Sequence, residues 1–163
     1  MTDTTTAGTD LDARAIELDG YVFHSWSAQA QLKPFVIAGG EGCRVWDHSG
    51  RRYLDFSSQL VNVNIGHQHP AVIAAIKEQA DTLATIAPST VNLHRGEAAK
   101  RITDRAPDGF NKVFFTNGGA DAIENAIRMA RLHTGRDKVL STYRSYHGNT
   151  GAAIVSTGRV PGR

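Results

Sequence analysis

The stretch from Lys112 to Tyr143 constrains the fold more than any other part of this chain. Lys112-Val113-Phe114-Phe115-Thr116 is a short, β-prone apolar run, and Asn117-Gly118-Gly119 is a turn. From Ala120 onward, Ile123, Ala126, Ile127 and Ala130 recur at helical spacing, with Arg128 and Arg131 off that stripe. Gly135 suits a helix C-cap, and Lys138-Val139-Leu140-Ser141-Thr142-Tyr143 reads as another strand. Strand, helix and strand in this order predict a βαβ unit. The fold class is therefore α/β with a parallel or mixed sheet, since parallel neighbours need a crossover that a helix supplies.

The upstream half is less regular. Residues 1–11 offer almost no apolar surface and read as a disordered leader. A short amphipathic stretch runs from Asp12 to about Trp26, and Gly39-Gly40-Glu41-Gly42 reads as a turn cluster. Cys43–Asp47 and Arg52–Phe56 flank His48-Ser49-Gly50-Arg51 and predict a β-hairpin. Pro70 opens a helix carrying Val72, Ile73, Ile76, Ala80 and Leu83, and Pro88 bars its extension. A second helix is predicted from about Gly96 to Ala106. The expected division is a leader (1–11), an N-terminal segment with the hairpin (12–66), and an incomplete large domain (67–163). Only two strands of the parallel sheet are expected by the loop-like stretch from Ser156 to Arg163, which suggests an unfinished domain.

The chain has 163 residues, a net charge of +2 and interleaved acidic and basic side chains, so neither nucleic acid nor a membrane surface is an expected partner. No apolar run approaches the ~20 residues of a membrane span. The single cysteine, Cys43, fits a reducing cytoplasm and is expected to be a buried or half-buried small side chain.

Asn117-Gly118-Gly119-Ala120-Asp121 lies between a strand and a helix N-terminus. Free amides and the helix dipole make such a place an anion site. The same glycines also fit a tight turn that merely needs positive φ. No dinucleotide or P-loop pattern is present. Tyr143 to Thr150 follows the next strand and should emerge at the same sheet edge, where open α/β folds bind ligands. Tyr146 there serves either as a stacking ring or as a packing residue. His67 and His69 lack further residues at ligand spacing, and no metal is expected.

The segment Phe114–Arg131 resembles the motif of the class III, pyridoxal-phosphate-dependent aminotransferases. Tyr146-His147-Gly148 is similar to that family's Y-H-G. Val45-Trp46-Asp47, Gly50 and Tyr53-Leu54-Asp55-Phe56 resemble its W-D…G…Y-L-D segment, and Gly66-His67 with His69-Pro70 its G-H-x-H-P. The resemblance covers about Pro34 to Gly158. It implies the N-terminal part of a type I pyridoxal-phosphate fold, working as a homodimer. Residue by residue, it implies that Gly118, Gly119 and Ala120 hold the cofactor phosphate. Gly118 stands where serine is usual, and Asp121 replaces a glutamate. It further implies that Tyr146 stacks on the ring, that His147 and Gly148 shape the turn, and that Leu60 and Val61 line the substrate pocket.

Resemblance also implies a Schiff-base lysine and an acid facing the ring nitrogen, both after the Y-H-G segment. Lys33, Lys77, Lys100, Lys112 and Lys138 do not sit in that lysine's context. No catalytic residue is therefore expected in this chain, which alone should not turn over. The implied reaction is amino transfer from an amino acid or ω-amine to a keto acid such as pyruvate or 2-oxoglutarate. The Ser57–Asn62 wording resembles the taurine and ω-amino-acid:pyruvate branch. Two alternatives stay open at this level. One is a non-catalytic remnant or half of a split enzyme. The other is an aminomutase, racemase or decarboxylase on the same fold.

Overall fold

A computed structural model describes residues 4–25 and 27–158. Contacts divide the chain into two units, Met1–Ala87 and Pro88–Arg163. Trp26 and the end of the loop-like tail, residues 159–163, lie outside the described residues.

In the first unit, helix α1 (Thr4–Asp19) occupies most of the stretch expected to be a disordered leader. It is held by a tertiary contact that a hydropathy reading does not register. Gly8 is buried against the hairpin turn, where a Cβ would stand 2.5 Å from the His48 carbonyl oxygen and 2.7 Å from the Ser49 Cα. Asp12 accepts the His48 amide at 3.0 Å.

Three antiparallel strands follow in the order β1 (Gly39–Glu41), β2 (Arg44–Trp46) and β3 (Arg52–Leu54). The expected β2–β3 hairpin is present, pairing Arg44 with Leu54 and Trp46 with Arg52. The Gly39–Glu41 segment is a strand rather than part of a turn cluster, with Gly39 opposite Trp46. Its first two glycines serve close packing. A Cβ on Gly39 would fall 2.7 Å from the Trp46 ring nitrogen, and one on Gly40 would fall 3.1 Å from the His67 ring. Gly42 makes the turn, at φ 57°. Cys43, in that loop, is exposed rather than buried.

Asp47 anchors the β2–β3 turn. Its carboxylate accepts from the Ser49 hydroxyl (2.7 Å), the Arg51 amide (2.9 Å) and the Tyr53 hydroxyl (3.0 Å). Gly42 and His67 exchange two backbone hydrogen bonds, 3.0 and 2.7 Å long, which tie His67 to the sheet. These contacts lie within the first unit, which runs to Ala87. A four-residue helical turn, α2 (Ser58–Val61), and the Pro70-initiated helix α3 (Pro70–Thr82) complete the unit.

The second unit opens with α4 (Leu93–Thr103), three residues earlier than expected, because the Asn92 side chain caps it by accepting the Arg95 amide at 3.0 Å. Helix α5 (Gly119–Thr134) ends on Gly135 in the left-handed conformation, and a short α6 (Gly151–Ser156) follows. The runs 112–116 and 138–143 flank α5 in the predicted order. Among the described residues, however, neither pairs into a strand. A β ladder needs a hydrogen-bonded neighbour as well as β-prone residues. Phe114 and Leu140 are 66% and 99% exposed. The buried apolar side chains among the described residues are Val45, Ile127 and Ala153.

Candidate functional site

The second unit brings two of the sequence-predicted elements together. Gly118 is the N-cap of α5 at φ −169°, an extended conformation open to any residue. Gly119 begins the helix, and it too is absent from the left-handed residues. The glycines are therefore not demanded by positive φ. A Cβ at either position would meet no atom within 4 Å, so the approach to this helix end is open. The first-turn amides of Gly119, Ala120 and Asp121 have no acceptor among the described residues, the first helical bond running from the Ala122 amide to the Gly118 carbonyl. Three free donors, a positive dipole end and unobstructed backbone suit a phosphate. Asp121 adds an exposed carboxylate to the same turn.

Tyr146-His147-Gly148 is seated against this turn by its glycine. Gly148 is buried at φ 132°, and a Cβ there would stand 2.7 Å from the Ala120 Cβ and 3.1 Å from the Ala153 Cβ. A larger residue would push the loop off the start of α5. The His147 amide donates to the Thr157 hydroxyl (3.1 Å), which donates to the Ala153 carbonyl (2.9 Å). His147 is half-buried, and Tyr146 is 55% exposed.

Glu124 holds this arrangement, a role the residue-by-residue reading missed. Its Oε1 accepts from the Thr150 hydroxyl (2.7 Å) and the amides of Ala152 (2.7 Å) and Ala153 (3.0 Å). One carboxylate on α5 thus satisfies the N-terminus of α6. The Thr150 hydroxyl first, and then the Ala153 amide, hold Glu124 below the ordinary carboxylate range. Nothing local in the sequence announces a partnership across 26 to 29 residues.

Leu60 and Val61 belong to the first unit, and each is 82% exposed. They sit in a distorted turn. Ser58, Gln59 and Val61 have φ of 49°, 61° and 59°, and Gln59 pairs its φ with ψ −94°. Asp55 organises the turn, a second role that reading missed. It accepts the amides of Ser57 (3.0 Å) and Gln59 (2.8 Å) and the His67 Nε2 (2.7 Å). The His67 bond chiefly, then the Gln59 amide, hold the Asp55 carboxyl below its usual range. The same pair borders an open groove of about 790 Å³ lined also by Phe35, Tyr53, Phe56 and Gln59.

Comparison with known proteins gives the family. The family described as Aminotransferase class-III matches residues 26–162. The chain belongs to the class III aminotransferase family. It is 37% identical over 147 residues to an acetylornithine aminotransferase of Methanopyrus kandleri, covering 90% of this chain and 36% of that protein. Its fold is similar to that of taurine:2-oxoglutarate aminotransferase from Bifidobacterium kashiwanohense, solved with PLP and glutamate. There the TM-score is 0.85 at 44% identity, over 97% of this chain and 34% of the other. An S-selective transaminase from Arthrobacter, solved with alanine bound, matches with a TM-score of 0.80 at 34% identity, over 89% and 32% of the two chains. This aminotransferase-family chain thus spans about a third of the length of the relatives it matches. Its α/β fold is that of the N-terminal part of these enzymes. Among the described residues, no helix is long and apolar enough to cross a membrane.

Proposed function

We propose that the protein carrying this chain is a pyridoxal-phosphate-dependent transaminase. It would pass nitrogen from an amino acid or ω-amine to a keto acid such as pyruvate or 2-oxoglutarate. The observation that carries the reading is the close seating of Gly148 on Ala120, which sets the Tyr146–His147 loop beside three free helix-end amides.

In this reading, Gly119 and Ala120 hold the cofactor phosphate through backbone amides, with Gly118 leaving the approach open. Tyr146 covers one face of the ring and His147 shapes the loop that carries it. When bound, the cofactor supplies an electron sink for cleavage of a bond at the amino-bearing carbon. The chain's own residues bind and orient it, and Leu60 and Val61 border the donor. The 44% identity to the taurine enzyme supports an ω-amino-acid donor. The reading also takes the protein as a cytoplasmic homodimer.

The test is a titration of the full-length protein with pyridoxal phosphate, followed by donor–acceptor assays. Saturable binding and transfer of nitrogen to pyruvate or 2-oxoglutarate are expected. Racemisation or decarboxylation without transfer, or tight nucleotide binding with no pyridoxal-phosphate binding, would overturn the reading. Residues 1–163 alone are expected to give no turnover, since none of Lys33, Lys77, Lys100, Lys112 or Lys138 sits in the sequence context of the family's Schiff-base lysine.

A further inference from the structure

Three residues of the Ser58–Val61 turn hold positive φ, and none is glycine. Left-handed backbone is disfavoured for L-residues, and most of all for a β-branched one such as Val61. Gln59, at φ 61° and ψ −94°, lies in the rare positive-φ γ-turn region. Such a shape persists only where its surroundings impose it. The imposing group here is Asp55, which directly follows β3. Its Oδ1 takes the Ser57 amide, while its Oδ2 takes the Gln59 amide and the His67 ring. His67 is in turn fixed to the β1–β2 loop by its paired backbone bonds with Gly42. Both side chains are well covered, at 12% exposure for Asp55 and 20% for His67. Sheet, imidazole, carboxylate and turn form one chain of contacts. It ends at Leu60 and Val61, whose side chains stay exposed.

We propose that Asp55 and His67 are positioning residues that lock the left-handed Ser58–Val61 turn, and that this lock sets donor affinity by fixing where Leu60 and Val61 stand. The second half of the statement rests on the transaminase reading above. The first half does not. An asparagine cannot replace Asp55. Whichever way its amide is turned, its NH₂ faces the N–H of either Ser57 or Gln59, and one of the two bonds is lost.

The full-length protein bearing Asp55→Asn tests both halves. Hydrogen exchange at the Ser57 or the Gln59 amide, whichever loses its acceptor, should quicken by about tenfold or more while β2 and β3 keep their protection. KM for the amino donor should rise by about tenfold, with kcat changed by less than about twofold and pyridoxal-phosphate titration unchanged. Adding Gln59→Gly, which keeps the amide but accepts positive φ freely, should return most of the lost affinity. If Asp55→Asn does not fold, His67→Ala serves. It leaves both amide bonds in place and should raise KM by only about threefold. Unchanged exchange at the two amides, a fall in kcat with KM intact, or no rescue by Gln59→Gly would overturn the proposal. A wild-type protein that transfers no nitrogen would overturn the transaminase reading instead. The exchange measurement would still decide the lock.

Discussion

Asp55 in the first unit and Glu124 in the second each gather three donors, but in different ways. In the first, Asp55 spreads three donors over two oxygens and holds a backbone that would otherwise relax. In the second, Glu124 gathers three donors on one oxygen and joins two helices whose own geometry is ordinary. Asp55 imposes a local shape. Glu124 imposes a meeting of distant segments. Removing the first should alter a turn, whereas removing the second should loosen a whole platform.

The largest expected effect sharpens the second half of that contrast. Gly148→Ala puts a methyl group 2.7 Å from the Ala120 Cβ at φ 132°. Overpacking and backbone strain should together destabilise the unit by roughly 2–4 kcal/mol. Chemical denaturation and pyridoxal-phosphate titration of the full-length protein would both register it. Unchanged cofactor affinity would break the link between this glycine and the site.

Glu124→Ala comes next. It leaves the Ala152 and Ala153 amides without their acceptor and should weaken cofactor binding by about tenfold without moving donor KM at saturating cofactor. That is the reverse of the pattern expected for Asp55→Asn. If both variants gave the same pattern, the two carboxylates would not do different work.

Acid titration compares the units more gently. Asp47, Asp55 and Glu124 are all held below the ordinary carboxylate range, Asp47 chiefly by the Ser49 hydroxyl. Each therefore takes up a proton less readily in the folded than in the unfolded chain. Their stabilisation is complete above the ordinary carboxylate range and is lost as pH falls through the depressed folded values. Unfolding midpoints measured from neutral to acid pH should fall accordingly, and Glu124→Gln or Asp47→Asn should each flatten the decline. The smallest effect is expected at the α4 cap, where Asn92→Ala should cost about 1 kcal/mol by denaturation with no change in cofactor or donor affinity.

Local features were legible in the sequence. Pro70 marks the start of α3, Gly135 the end of α5, and the Ser49-Gly50 turn the β2–β3 hairpin. The motif residues Gly118–Ala120 and Tyr146–Gly148 were legible too, and the structure brings them together. What was not legible depends on contacts. Residues 4–11 look unstructured by composition, yet α1 includes them because Gly8 fits the His48-Ser49 turn. The Gly39–Glu41 segment looks like a loop, yet its glycines let a strand pass under Trp46. The runs 112–116 and 138–143 look like strands, yet they form no ladder among the described residues.

Local sequence was enough to place the start of α3, the end of α5 and the turn of the hairpin, and to point to the family. Those properties arise from caps, periodicity and motif wording within a few neighbouring residues. Only the tertiary structure decided that Gly118 and Gly119 serve an open approach rather than positive φ, that Glu124 caps α6, and that Asp55 and His67 hold the strained turn at Gln59. Each of these depends on where the path of the chain brings residues together, and no local preference for helix, strand or turn encodes that path.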